Sequence, residues 1–166
     1  MSIAQSLLPE FDHEFAVLRT ALQRVPDDKM EFKPHAKSMA LGRLAGHLTE
    51  LPGWMNSTIE ADELDFATMD YKPFIPTSTE ELLAALDAAL AKARPALEQV
   101  TDAELMKPWT LRQGDHVIFT MPKVAVLRSF VISHMIHHRA QLGVYLRLND
   151  VPVPSMYGPS ADEPGM

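Results

Sequence analysis

Residues 127–148 read LRSFVISHMIHHRAQLGVYLRL, and the fold prediction starts from this stretch. Seven of its side chains recur at alternating spacings of four and three residues: Leu127, Val131, His134, His138, Gln141, Tyr145 and Leu148. That repeat is typical of the seam along which a helix packs into a bundle. The seam is polar in its middle, where apolar side chains are the usual occupants. The stretch therefore predicts a packed helix with a special group of side chains at its centre.

Three earlier segments show the same helical periodicity, over residues 7–25, 38–59 and 78–100. Ser38 is a plausible N-cap for the second segment. The third begins with a capping-box pattern at Ser78–Glu81. Proline inside a helix removes a hydrogen bond and crowds the preceding turn. We therefore expect Pro52-Gly53 to kink or break the second helix, and Pro95 to kink the third.

The remaining segments connect these helices. Residues 60–78 are acidic and proline-containing and predict a loop, whereas residues 105–121 predict two short strands joined at Gln113-Gly114-Asp115. The tail, residues 149–166, is rich in proline, glycine and serine and should be irregular. The predicted fold is all-α. It is a single domain over residues 1–166, an antiparallel four-helix bundle with a small β-hairpin before the last helix.

Composition excludes several classes of chemistry. The 166 residues contain no cysteine, which rules out disulfides, thiolate metal sites and a cysteine nucleophile. Fifteen Lys and Arg against 22 Asp and Glu give a net charge of −7, which argues against a nucleic-acid partner. The sequence shows neither a basic leader with a long apolar run nor 18 consecutive apolar residues. These features predict a cytoplasmic protein with no membrane partner.

Three histidines stand out as candidate metal ligands. Positions four apart on a helix differ by about 40° and about 6 Å along the axis, so His134 and His138 can face one ion. His47 falls among Leu44 and Leu48, on the predicted buried face of the second helix. Three imidazoles leave coordination positions open, as catalytic sites do. The alternative is that these rings are core histidines satisfied by protein hydrogen bonds.

Candidate catalytic and supporting residues lie close to these ligands. The zincin motif H-E-x-x-H is absent, because Met135, Ile136 and His137 separate the two histidines of the last helix. The candidate bases are therefore Glu50 and His137. A solvated carboxylate is the alternative for Glu50. Gln141 and Tyr145 continue the stripe and could orient ligands or substrate, or could form a polar pair within the core.

At these residues the sequence resembles the DinB/YfiT-like family of metalloenzymes. The resemblance rests on Leu44–Leu48, His134–Leu142 and Tyr157–Ser160, and extends in order over nearly the whole chain. It implies a four-helix bundle, often dimeric, whose three metal-binding histidines correspond to His47, His134 and His138. One departure is Ala140, where the family has glycine in its H-R-G-Q motif. Some members of the family transfer low-molecular-weight thiols or isomerise thiol conjugates.

The predicted function is that of a metal-dependent enzyme. A divalent ion, zinc or nickel ahead of iron or manganese, would activate water or a small-molecule thiol, as in a hydrolase or a thiol S-transferase. The partners expected are a small-molecule substrate and a second copy of the chain in a homodimer. The alternative is a non-catalytic metal- or ligand-binding helical bundle with a stress-related role.

Overall fold

The computed structural model describes residues 1–164, which are mostly helical with one small sheet. The helices are α1 (Ile3–Leu22), α2 (Leu41–Glu60), α3 (Thr79–Gln99), α4 (Asp102–Leu105), α5 (Lys123–Val126) and α6 (His134–Leu148). A 3₁₀ turn covers Asp27–Lys29. Between α5 and α6 the chain is π-helical over Leu127–Ser133. Residues 123–148 thus form one continuous element, called here the last helix.

Four long elements enclose a single main core. Helix α3 packs against α1 and α2, and α6 of the last helix packs against the same two helices. Fully buried side chains come from each of them, among them Phe11, Leu48, Leu86 and Leu142. The helical periodicity in the sequence therefore marks most of the buried positions, although Gln141 and Leu148 of the predicted seam are exposed. No helix within the described residues combines the length and the hydropathy that a bilayer-spanning segment requires.

The expectation that Pro52-Gly53 could break the second helix is wrong. Helix α2 runs unbroken through Pro52-Gly53, and α3 runs through Pro95. Leu51 and Met55 are both fully buried, so core packing holds α2 in place on either side of the missing hydrogen bond. Packing of an apolar face outweighs the local preference of a single residue.

The start of α2 also differs from the prediction. Its N-cap is Ala40, which makes no side-chain cap, and not Ser38. The amides of Leu41 and Gly42 instead donate to the carbonyls of Phe32 and Met30. The preceding loop therefore satisfies the first helical amides, and a capping side chain is unnecessary.

The predicted hairpin is present, but it belongs to a three-stranded sheet. Strands β2 (Pro108–Gln113) and β3 (His116–Pro122) are antiparallel, and Gly114 takes the positive φ of 59° that their two-residue turn requires. Strand β1 (Glu63–Asp65) adds in parallel to the free edge of β2. The prediction of a loop over 60–78 is corrected only at Glu63–Asp65, and the fold is mostly helical and not all-α.

Candidate metal centre

Three histidine side chains meet between α2 and α6. Nε2 of His134 lies 3.4 Å from Nε2 of His47 and 2.8 Å from Nε2 of His138. Each ring offers one nitrogen, and the three nitrogens lie within 4.8 Å of one another. Two nitrogen ligands of a tetrahedral zinc ion stand about 3.3 Å apart, given a Zn–N bond of about 2 Å. The cluster thus has the dimensions of a metal site.

The other nitrogen of each ring faces a hydrogen-bond acceptor. The pairs are His47 Nδ1 with the Glu50 carboxylate (3.4 Å), His134 Nδ1 with the Phe130 carbonyl (3.2 Å) and His138 Nδ1 with the Gln141 amide oxygen (2.7 Å). An acceptor at Nδ1 assigns the ring proton to that nitrogen and leaves a lone pair on Nε2. Three lone pairs aimed at one point repel each other unless a cation lies between them. The donor set therefore fits a divalent metal ion.

Burial keeps these rings ready to bind a cation. Desolvation lowers the pKa of His138 to about 4, and the neighbouring imidazoles act in the same direction. Desolvation also lowers the pKa of His134, assisted by the charge of His47. Both rings are consequently neutral at pH 7, the protonation state that a metal ligand requires.

The π-helical stretch before His134 sets the orientation of that ring. The backbone amide of His134 donates to the carbonyls of Ser129 and Val131 and not to that of Phe130. In a regular α-helix that carbonyl would accept the His134 amide. Here it accepts the ring proton at Nδ1 instead. This wider turn therefore supplies a support for a candidate ligand, consistent with the frequent occurrence of π-helical turns at functional sites.

Glu50 connects the cluster to the 60–78 region. Its carboxylate accepts hydrogen bonds from Arg43 (3.1 Å), the Tyr71 hydroxyl (2.8 Å) and the Phe74 amide (2.8 Å), and it also contacts His47. Burial alone would raise the pKa of Glu50. The hydrogen bonds from His47, Phe74 and Tyr71, with the charge of Arg43, outweigh it and lower the pKa to about 2. A carboxylate with so many donors is a weak base, which favours an orienting role.

Residues 71–76 lie directly on α2 beside this carboxylate. A Cβ atom on Gly46 would stand only 2.6 Å from the carbonyl oxygen of Phe74. Glycine at position 46, one residue before His47, is therefore what allows the segment to approach so closely. The segment thus contacts the backbone next to His47, and its Phe74 amide binds the same Glu50 carboxylate that the His47 ring contacts.

The other predicted site residues take different places. His137 is exposed and outside the ligand group, although its ring centre lies 4.9 Å from that of His138. Gln141 is bonded to His138, as described above. Tyr145 is buried and donates its hydroxyl proton to the carbonyl of Met39, 3.0 Å away, so it supports the loop before α2.

Cavities flank the cluster on several sides. One of about 330 Å³ is lined by His134, His137, Phe130 and two serines. Another of about 520 Å³ lies between α2 and α3, with Glu50 and Tyr71 in its wall. Space for a small molecule is therefore available next to the three histidines.

Sequence reasoning did not find part of this arrangement. Arg43 precedes Glu50 by two helical turns on α2, which was a usable signal. Nothing local indicated that Tyr71 and Phe74 would reach the same carboxylate, because their place depends on how the 60–78 region folds back. The apolar run before His134 likewise gave no sign of a π-helix.

Comparison with known proteins gives a consistent family assignment. The model of the DinB family matches residues 1–165. The protein YrdA of Bacillus subtilis is 26% identical over 160 residues, covering 94% of this chain and 89% of YrdA.

Two solved structures share the fold. A DinB-like protein from Bacillus cereus superposes with a TM-score of 0.73 at 23% identity, covering 94% of this chain and 98% of its own. The DinB-like protein YjoA of Bacillus subtilis gives a TM-score of 0.68 at 18% identity, covering 91% and 96%. With the three-histidine cluster in place and the family model matched from the first residue to residue 165, the chain belongs to the DinB family.

Proposed function

We propose that the chain is a metal-dependent enzyme whose divalent ion is held by His47, His134 and His138. The observation that carries the proposal is the convergence of three Nε2 atoms, each on a ring whose Nδ1 faces an acceptor. Zinc or nickel suits three imidazoles best, ahead of iron or manganese. The chemistry supplied there is a lowered pKa for a coordinated water or thiol, and so a nucleophile at neutral pH.

The protein's own groups prepare this site in three ways. Glu50, the Phe130 carbonyl and Gln141 orient the three rings. The cavity beside His134 gives a substrate room next to the ligands. His137 lines that cavity and is the side chain best placed there to hold or move a substrate proton.

The number of ligands favours an enzyme over a structural ion. Within residues 1–164, His, Asp and Glu side chains form one group with metal-ligand spacing, and it has three members. Structural zinc sites normally use four protein ligands, whereas catalytic sites use three and leave a position open. A hydrolase and a thiol S-transferase both use such an open position. A low-molecular-weight thiol would come from solution, because the chain has no cysteine.

The proposal includes several finer features. These are an antiparallel arrangement of the four long helical elements, a homodimer and a cytoplasmic location. They rest on the periodicity of the sequence, on the family resemblance and on the composition. Size-exclusion chromatography with light scattering measures the oligomeric state directly.

Metal analysis of the purified protein tests the central proposal. After supplementation with zinc or nickel we expect about one ion per chain in the wild type, and a large loss in His134→Ala and His138→Ala. His13→Ala is the matched control, because His13 is exposed on α1 and outside the cluster. Equal metal content in all four proteins would overturn the ligand assignment.

Removal of the ion separates an enzyme from a metal-stabilised bundle. The core is apolar and independent of the cluster, so the metal-free protein should keep its helical circular dichroism at 25 °C. Unfolding on chelation would instead indicate a structural ion. Nickel or cobalt loading followed by addition of a small thiol should give a thiolate-to-metal absorption band, which reports an open coordination position.

A further inference from the structure

A second polar group lies beside the cluster, in a cleft between the loop before α2 and α6. The cleft has a volume of about 380 Å³ and is called here the Lys37 cleft. It is lined by Lys37, Ser38, Met39, His138, Gln141 and Tyr145. His138 belongs to both the cleft and the candidate metal centre. A molecule in the cleft would therefore lie next to the reacting position.

Hydrogen bonds hold the loop backbone of the Lys37 cleft in place, and the Lys37 side chain extends from it at an exposed position. Tyr145 binds the carbonyl of Met39, which attaches the loop to the last helix. The amide of Lys37 donates to the His35 ring (3.1 Å), and the amide of Ser38 donates to the His35 carbonyl (2.9 Å). Because these contacts form a turn, the loop backbone that carries Lys37 and Ser38 is held in place beside α6.

The orientation of Gln141 makes the cleft a donor site. Its amide oxygen accepts the Nδ1 proton of His138 at 2.7 Å, so its NH₂ group is the part left for a ligand. Within residues 1–164, neither that NH₂ group nor the Lys37 ammonium has a hydrogen-bond or ion-pair partner. The Ser38 hydroxyl adds a third donor. None of the residues lining the cleft carries a carboxylate.

We propose that the Lys37 cleft binds the carboxylate of a small-molecule substrate, using Lys37, Ser38 and Gln141. One ammonium balances the single negative charge of a carboxylate. The two neutral donors can bind its oxygens. In a chain of net charge −7, a cleft with a cation and no anion selects for such a group. This proposal rests on the proposed function, because it places the substrate's reacting group at the three histidines.

The test compares a thiol acid with its neutral amide. The zinc-loaded and metal-free proteins are titrated with 3-mercaptopropionate and with 3-mercaptopropionamide, and the Gln141 side-chain amide is followed by NMR. We expect the wild type to bind the acid about five to ten times more tightly than the amide, with or without zinc. In Lys37→Gln this preference should fall to about twofold or less, since the charge is lost.

Lys33→Gln is the matched control. It removes the same charge from the same loop, but the Lys33 side chain lines a different cavity. It should keep the preference for the acid. Equal binding of acid and amide by the wild type, or an equal loss of preference in the Lys33 variant, would overturn the proposal. Tighter binding of inorganic phosphate than of the acid would overturn the carboxylate class.

The zinc-loaded and metal-free titrations distinguish failure of the metal proposal from failure of the carboxylate proposal. If zinc tightens neither thiol while the acid is still preferred in the metal-free protein, the metal proposal fails and the carboxylate site stands. If zinc tightens both thiols equally and no preference for the acid exists, the carboxylate site fails and the metal proposal stands.

Discussion

Helix α6 carries two polar clusters on different faces, and only one of them is complete in itself. Towards α1, the guanidinium of Arg139 is 1% exposed and binds the Glu14 carbonyl (2.8 Å), the Glu14 carboxylate (2.7 Å) and the Tyr157 hydroxyl (2.6 Å). Tyr157 in turn donates to Glu14. Towards α2, His134 and His138 direct lone pairs at each other. The first cluster balances its own charges, whereas the second could hold a metal ion.

This contrast separates a structural polar group from a ligand site. Both clusters interrupt an apolar helix face, so both look alike in the sequence. They differ in whether each acceptor has a donor within the protein: the three Nε2 atoms of the histidine cluster face only one another. Buried polar groups are normally paired, and an unpaired set points to a missing partner.

The largest expected effect is the loss of the Arg139 cluster. Arg139→Met leaves the Glu14 carboxylate buried without its cation, which should lower the free energy of unfolding by about 3–5 kcal/mol. Arg128→Met is the control, because Arg128 is 56% exposed and pairs with Glu10 at the surface. That pair should contribute about 0–1 kcal/mol. Urea denaturation measures both, and similar small losses would contradict the structural role of Arg139.

The candidate metal centre should behave in the opposite way. His134→Leu removes a half-buried polar ring, so the metal-free variant should be as stable as the metal-free wild type. Zinc at 100 times its dissociation constant should stabilise the wild type by about 2.7 kcal/mol and leave His134→Leu unchanged. Thermal melts with and without zinc give both comparisons. Equal zinc stabilisation of both proteins would remove the distinction between the two clusters.

A smaller effect is expected from the carboxylate that supports His47. Glu50→Gln keeps an oxygen acceptor but removes the charge, and it should weaken metal affinity about tenfold. Hydrogen exchange at the Phe74 amide should also accelerate, because that amide donates to Glu50. Glu60→Gln at the exposed end of α2 is the control. An unchanged affinity in Glu50→Gln would show that His47 is oriented by its packing alone.

How much of this could be predicted from the sequence depends on whether the signal is local. His134, His138 and His47 were identifiable because helical periodicity places side chains on one face. The unbroken course of α2 through Pro52 could not be predicted from the sequence, because it depends on burial in the tertiary structure. Strand β1 could not be predicted either, because it forms by pairing with the edge of β2, which lies far along the chain.

The supporting groups of the site show the same limit. Gln141 lies three residues after its partner His138, and the helical spacing of residues 127–148 had already indicated it. Tyr71 reaches Glu50 from 21 residues away through a region without regular periodicity. The π-helical turn before His134, whose Phe130 carbonyl contacts the His134 ring, has no recognisable residue pattern. Local periodicity therefore predicts the candidate ligands better than the groups that contact them.

The smallest expected effect is a pH dependence of the stability of the metal-free protein, which arises in the histidine cluster. In the folded state the pKa of His138 is about 4, against the usual 6.5, so the unfolded state binds more protons between those values. The contribution of His138 to the free energy of unfolding should therefore be fully present above about pH 6.5 and decline as the pH falls towards 4. Because the ring is only half-buried and water screens its charge, we expect a loss of about 1 kcal/mol. Replacing His138 with glutamine should reduce this decline to the part that comes from the lowered pKa of His134, whereas His116→Gln, at an exposed position, should preserve it in full. Urea midpoints at pH 7 and pH 4.5 measure the difference, and an equal decline in all three proteins would assign it to other groups.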